Sequence, residues 1–127
     1  MQEKDLFEYA VIRVVPRVER EEFINVGVIL YCAKQNFLLA KIKLDEERLK
    51  AFCVEIDLEG LSSNLNALEH ISKGNSAGGP IGKLDAASRF RWLTATRSTV
   101  VQTSKVHPGF CNDAKETLEK LYIELVL

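Results

Sequence analysis

Polar side chains interrupt two apolar stretches near the start of the chain. Arg13 lies within the stretch 7–15, Asn25 lies within the stretch 23–32, and Glu21 lies in the connection between them. A buried guanidinium costs several kcal/mol unless it is paired and hydrogen-bonded. Three interpretations stay open: a structural network, in which Glu21 could pair with Arg13 or Arg17, a solvent-facing edge of a sheet, or a polar pocket on the sheet that binds a ligand.

A second group of candidate residues follows the middle of the chain. Residues 83–105 form its most basic part and contain Arg89, Arg97 and Ser98, with His107 close behind. Arginine forks recognise carboxylates and phosphates, and hydroxyls add hydrogen bonds. A histidine can serve as an acid or a base near neutral pH. This pattern suits a phosphorylated or acidic partner, and the aromatics among the arginines also suit single-stranded nucleic acid.

Complete catalytic and cofactor motifs are absent from the sequence. The glycine-rich segment 73–82 (KGNSAGGPIG) fails as a phosphate-binding loop, because Gly82-Lys83 is followed by Leu84 rather than serine or threonine. The two histidines are far apart, and neither a zinc-protease signature nor a nucleophile elbow occurs. The sequence therefore predicts no metal and no cofactor, and it favours a flexible linker at 73–82.

Cysteine usage and composition bound the class of protein. Cys32, Cys53 and Cys111 are odd in number and widely spaced, which predicts buried free thiols and a reducing, cytoplasmic location. The 17 basic and 18 acidic side chains give a net charge of −1, without the basic footprint of a nucleic-acid-binding protein. The polar N-terminus does not resemble a signal peptide, and no apolar run approaches the roughly 20 residues of a membrane span.

The elements that must position these residues follow from apolar patterning. Length and composition predict one domain over residues 1–127. Strands cluster early and helices later, which predicts an α+β fold with an antiparallel sheet of about four strands and helices packed on it. The pattern predicts strands at 7–15, 23–32, 37–44 and 98–104, helices at 46–53, after Asp57, at 85–92 and after Asp113, and a turn at 107–109.

Seven segments match a known family in order along nearly the whole chain: Phe7–Arg17, Glu21–Cys32 (EEFINVGVILYC), Leu44–Glu46, Gly79–Gly82, Arg89–Leu93, Arg97–Gln102 and Val106–Gly109. On these segments the sequence resembles the bacterial family known as domain of unknown function 3037. Thr96 departs from it, since proline is expected there. The family's recurring polar positions correspond to Arg13, Glu21, Asn25, Arg89, Arg97, Ser98 and His107.

The resemblance implies a regulatory role rather than a named reaction, because genes of this family often lie beside those of HipA-like kinases. The first hypothesis is therefore a non-catalytic interaction partner of such a kinase. The alternative is a small-molecule or phosphate-binding enzyme whose Arg, Glu, Asn and His side chains converge in one pocket. That alternative requires Arg13 and His107 to share a face of the sheet. Nucleic-acid binding through 83–105 is a third hypothesis, which the net charge disfavours.

Overall fold

The structure, a computed structural model, describes residues 4–95, 97 and 99–127, with only the backbone of Ser76. Two positions raised by the sequence, Thr96 and Ser98, lie outside the described residues. The strands are β1 (Asp5–Val14), β2 (Ile24–Cys32), β3 (Phe37–Ile42), β4 (Val101–Thr103) and β5 (His107–Cys111). The helices are α1 (Glu46–Phe52), α2 (Leu58–Lys73), α3 (Gly79–Gly82), α4 (Ala86–Leu93) and α5 (Ala114–Leu125), with 3-10 turns at Val18–Arg20 and Ser76–Gly78.

The five strands form one antiparallel sheet, which confirms the predicted α+β class. Its order is β3-β2-β1-β4, and β5 also pairs with β1. Strand β1 is long enough to pair with β5 along its first half and with β4 along its second half, on the same side. The edge of the sheet beside β1 is therefore built from two short strands.

Three local predictions differ from the structure. Residues 107–109 do not form a turn but begin β5, because proline, which lacks an N–H group, is tolerated where a strand lies at the edge of a sheet. The glycine-rich segment is not wholly a flexible linker, since it contains the 3-10 turn at 76–78 and the short helix α3. Of the strand predicted at 98–104, the described residues form β4 over Val101–Thr103, which pairs with β1.

One face of the sheet is covered by α2 and α4. The apolar stripe of α2 and the side chains of Phe90 and Leu93 from α4 bury the β1 residues Ala10, Ile12 and Val14. Aspartate side chains accept hydrogen bonds from backbone amides at the start of these helices, as predicted at Asp57. These contacts fix the helical layer on the side of β1 that carries its even-numbered residues.

The opposite face is covered only in part. Helix α5 packs over β2 and β3, where it buries Phe7, Val28 and Leu30 in a second apolar cluster. Beyond the edge of α5, the second half of β1 and the neighbouring β4 carry Arg13 and Gln102, which are half-buried. This part of the sheet holds the candidate site.

Candidate functional site

Side chains of four strands line up beside the end of α5, on the face of the sheet that this helix covers only in part. Residues 9, 11 and 13 of β1 point to one face because side chains alternate along a strand. Cross-strand pairing places Asn25 and Gln102 on either side of Arg13 and places His107 opposite Tyr9. We call this set the polar strip, and it consists of Tyr9, Val11, Arg13, Asn25, Gln102 and His107.

A β-bulge sets the geometry at one end of the polar strip. Ile12 pairs with Gly27, but the next residue, Arg13, pairs with Asn25, so that Val26 is the additional residue. A bulge of this kind redirects a side chain and increases the local twist of a strand. Here it brings Asn25 to the same face as Arg13, while Val26 is buried in the core beneath α2.

Arg13 is a partly desolvated cation without a counter-ion. Its Nε is buried and has no hydrogen-bond partner, and its terminal nitrogens form neither a hydrogen bond nor an ion pair with the residues that the structure describes. The guanidinium carbon lies 3.9 Å from the centroid of the Phe23 ring, which holds the side chain against the sheet. Burial lowers the pKa of Arg13, and no carboxylate offsets this effect.

Asn25 presents the complementary unsatisfied group. Its Nδ2 donates a hydrogen bond of 3.1 Å to the carbonyl oxygen of Leu125, near the end of α5. Because that carbonyl only accepts, the contact fixes the orientation of the amide. The other atom, Oδ1, is buried and has no partner among the described residues. An unused donor and an unused acceptor therefore belong to directly paired residues.

His107 marks the other end of the polar strip. Its exposed ring lies 5.3 Å from the Tyr9 ring, measured between centroids. Arg13 and His107 therefore share a face, as the enzyme hypothesis requires. However, the four steps along the strand from Tyr9 to Arg13 span about 13 Å at the rise of an extended strand. The strip is elongated, and one small ligand would not contact both ends.

Glu21 forms no ion pair with Arg13 or Arg17 in the described part of the chain. It is exposed and closes the 3-10 turn with a left-handed φ of 57°, where its N–H donates to the carbonyl of Val18. The carboxylate nearest to Arg17 is that of Glu55, at 4.0 Å. In the described part of the chain, Arg13 has no acidic partner, so the structural network considered from the sequence does not form around it.

Arg89 and Arg97 belong to the helical layer on the other face. The guanidinium of Arg89 donates to the carbonyls of Ile71, Ser72 and Leu84, at 2.7–3.0 Å, and so caps the end of α2. Arg97 donates to carbonyls at the end of α4, including that of Leu93. These donors are satisfied within the protein, whereas those of Arg13 are not. Ser98 lies outside the described residues.

Several residues at the site were not among those singled out as candidates for binding, and two of them adjoin Arg13. Phe23 supports Arg13, and Gln102 flanks it from β4. The spacing of Phe23 and Asn25, two residues apart, was a usable signal, because it places both on one face of a strand. Gln102 carried no such signal, since its position depends on how β4 pairs with β1.

Two further classes of site receive no support from the described residues. No group of three or more His, Cys, Asp or Glu side chains lies close enough together to hold a metal ion. None of the helices in the described ranges combines the length and the apolar character needed to cross a bilayer.

Comparison with protein families matches the model described as "Protein of unknown function (DUF3037)" over residues 9–126. The chain belongs to this family. The match spans both faces of the sheet and the whole polar strip, and it confirms the resemblance drawn from the sequence. Comparisons with curated proteins and with solved structures gave no match. Because the description of DUF3037 names no activity, function has to be argued from the site.

Proposed function

We propose that this DUF3037 protein is a non-catalytic binding module. In this proposal the polar strip recognises an anionic group on an extended segment of a partner protein. The family resemblance suggests a HipA-like kinase as that partner. The observation that carries the proposal is the guanidinium of Arg13, which is held on Phe23 without a counter-ion among the described residues.

The state of Arg13 favours an external anion. A partly desolvated cation costs the folded protein less when an opposite charge compensates it. A carboxylate or phosphate could accept two parallel hydrogen bonds from the terminal nitrogens, which is the geometry of strong arginine pairs. It would also offset the desolvation that lowers the pKa of Arg13. The neighbouring Asn25 and Gln102 add side-chain amides for further hydrogen bonds.

The shape of the strip favours a peptide segment over a small metabolite. The strip follows β1 for about 13 Å, the length of about four extended residues. Arg13 would bind the anionic group at one end, and the Tyr9–His107 ring pair offers a stacking surface at the other. The strip lies along a sheet, with Val11 buried, His107 exposed and its other members half-buried, and provides recognition along a chain rather than the enclosure typical of small-molecule sites.

The phosphate-binding enzyme stays as the second candidate because Arg13 and His107 share a face. It requires a ligand long enough to reach both, with His107 acting as acid or base. The two candidates differ in their dependence on His107. If the protein is a binding module, His107→Ala weakens its complex with the partner. If the protein is an enzyme, the same substitution removes its catalytic activity.

The test is binding of a HipA-like kinase from the same organism, measured by isothermal titration calorimetry. Arg13→Gln is expected to weaken the complex by at least about tenfold, since removing one partner of a desolvated charge pair costs about 2–5 kcal/mol. Arg20→Gln is the matched control, because Arg20 is exposed and already forms an ion pair with Glu22. Equal affinity of both variants would contradict a role of Arg13. Absence of any complex would contradict the kinase as partner.

A further inference from the structure

A second surface lies on the opposite face of the sheet, where the helical layer stops short of the start of β1. Leu6 and Phe110 oppose each other directly across β1 and β5, and they are 52% and 68% exposed. With Tyr31 of β2 they line a groove of about 310 Å³. The even number of Leu6 places it on the face that α2 and α4 cover farther along β1. We call this surface the terminal groove.

The dimensions of the terminal groove suit one helix. Its floor crosses three adjacent strands, β2, β1 and β5, which together span about 10 Å at the usual spacing between strands. An α-helix with its side chains is about 10–12 Å wide. A helix placed there would extend the layer that α4 begins. Sheet faces are normally buried by such a layer, and the exposure of Leu6 and Phe110 leaves this end unburied.

The uncompensated charge around the terminal groove is positive. Lys4 and Lys34 line it, and neither forms an ion pair with another residue in the described ranges. Among the described residues, the acidic side chain that lines the groove is that of Glu8, and it is already neutralised, because both of its carboxylate oxygens accept hydrogen bonds of 2.9 Å from Arg91. This pairing also raises the pKa of Arg91. The groove therefore combines an apolar floor with two unpaired ammonium groups.

We infer that the terminal groove docks an acidic amphipathic helix of a partner protein. Its apolar stripe would cover Leu6 and Phe110, and its carboxylates would face Lys4 and Lys34. A second copy using the same groove would bring like-charged lysines together, which opposes a symmetric dimer. The terminal groove and the polar strip lie on opposite faces, so this inference does not depend on the proposed function.

The test uses two fluorescein-labelled synthetic 14-residue peptides, chosen as probes. Both carry leucines at helical i, i+3, i+4 and i+7 positions, flanked by glutamates in one peptide and by lysines in the other. Fluorescence anisotropy should show the acidic peptide binding at least about tenfold more tightly than the basic one. Leu6→Asp should remove most of this binding. The double variant Lys4→Glu/Lys34→Glu should reverse the preference between the two peptides.

Matched controls come from α5, on the other face. Ile123→Asp changes an apolar side chain that is 59% exposed, and Lys115→Glu/Lys120→Glu changes two exposed lysines. Both controls should bind the acidic peptide with unchanged affinity. Circular dichroism checks that each variant is folded, and Phe110→Asp replaces Leu6→Asp if that variant unfolds.

Two results would overturn the inference. The first is equal affinity for the acidic and the basic peptide, and the second is a loss of acidic-peptide binding in the control variants as large as that in Leu6→Asp. A concentration-dependent doubling of mass that Leu6→Asp abolishes would instead assign the groove to a second copy. Co-sedimentation with phosphatidylserine vesicles, lost in Leu6→Asp while the acidic peptide fails to bind, would assign it to a lipid surface.

Discussion

Arg13 and Asn25 lie directly opposite each other on β1 and β2, and each carries a buried polar atom without a hydrogen-bond partner among the described residues. The unused atom of Arg13 is a donor and that of Asn25 is an acceptor. Leaving such a group buried and unsatisfied costs about 1–3 kcal/mol. The domain thus retains a local destabilisation at the position where we propose that it binds its partner, as functional sites often do.

Replacing Arg13 by methionine should separate stability from binding. Methionine keeps an unbranched apolar stem and removes the desolvated charge, so the free energy of unfolding should be unchanged or rise by about 1 kcal/mol. Loss of the contact with Phe23 offsets part of this gain, by about 0.5–1 kcal/mol. Urea unfolding measures the change. A loss of more than about 1 kcal/mol would mean that Arg13 is mainly structural.

Arg89 should behave in the opposite way. Its guanidinium satisfies the carbonyls of Ile71 and Ser72 at the end of α2, so Arg89→Ala should lower the free energy of unfolding by about 2–3 kcal/mol. Arg91→Ala is the matched control on the same helix, since its pair with Glu8 is exposed at the surface and is worth at most about 1 kcal/mol. Thermal and urea unfolding of both variants provide the comparison. Similar losses would show that the capping role is wrong.

The cysteines should differ in reactivity. Burial, followed by the proximity of Cys32, raises the pKa of Cys111, and both of these thiols are buried, whereas Cys53 is half-buried. Because the thiolate is the nucleophile, iodoacetamide at pH 8 should modify Cys53 first and should modify Cys111 only on unfolding. Mass spectrometry of peptides after timed quenching measures this order. Early modification of Cys111 in the native protein would contradict it.

The raised pKa of Cys111 predicts a pH dependence of the free energy of unfolding. A thiol whose pKa is raised by folding contributes fully below the pKa of the unfolded chain, about 8.5, and the contribution is lost as pH rises above that value. The free energy of unfolding should therefore fall from pH 8 to pH 10. Cys111→Ala should show a shallower fall than the unchanged protein, which separates this thiol from other groups that titrate in the range. If the free energy of unfolding falls equally steeply with pH in both proteins, Cys111 does not cause the pH dependence.

Local patterns predicted much of the fold. Continuous apolar and β-branched stretches gave β1, β2 and β3, because such side chains fit a buried sheet, and aspartates before apolar periodic segments gave the starts of α1, α2 and α5. The starts of these three helices agree with the structure because capping is a local interaction. The sequence signals were weakest where pairing is long-range, as in the division of the edge between β4 and β5.

The candidate residues show the same limit. Arg13, Arg89 and Arg97 are alike in type, and sequence neighbours do not reveal which of them finds carbonyl partners. The fold decides it, because α2 and α4 end beside Arg89 and Arg97 respectively, whereas the end of α5 contacts Asn25 rather than Arg13. Asn25 and Arg13 were recognisable as polar residues on apolar strands, but their direct pairing depends on the bulge at Val26.

Gly109 illustrates a residue whose role the turn-like sequence His107-Pro108-Gly109 concealed. It lies opposite Phe7 in the β1–β5 pair, and a Cβ at this position would approach the Phe7 ring to 2.6 Å. Gly109→Ala should therefore lower the free energy of unfolding by about 1–3 kcal/mol, the usual cost of overpacking. In a Phe7→Leu background the smaller side chain leaves room, so the cost of the same substitution should fall by more than half. Urea unfolding of the four proteins in this double-mutant cycle measures the coupling, and strictly additive losses would show that Gly109 is not required by contact with Phe7.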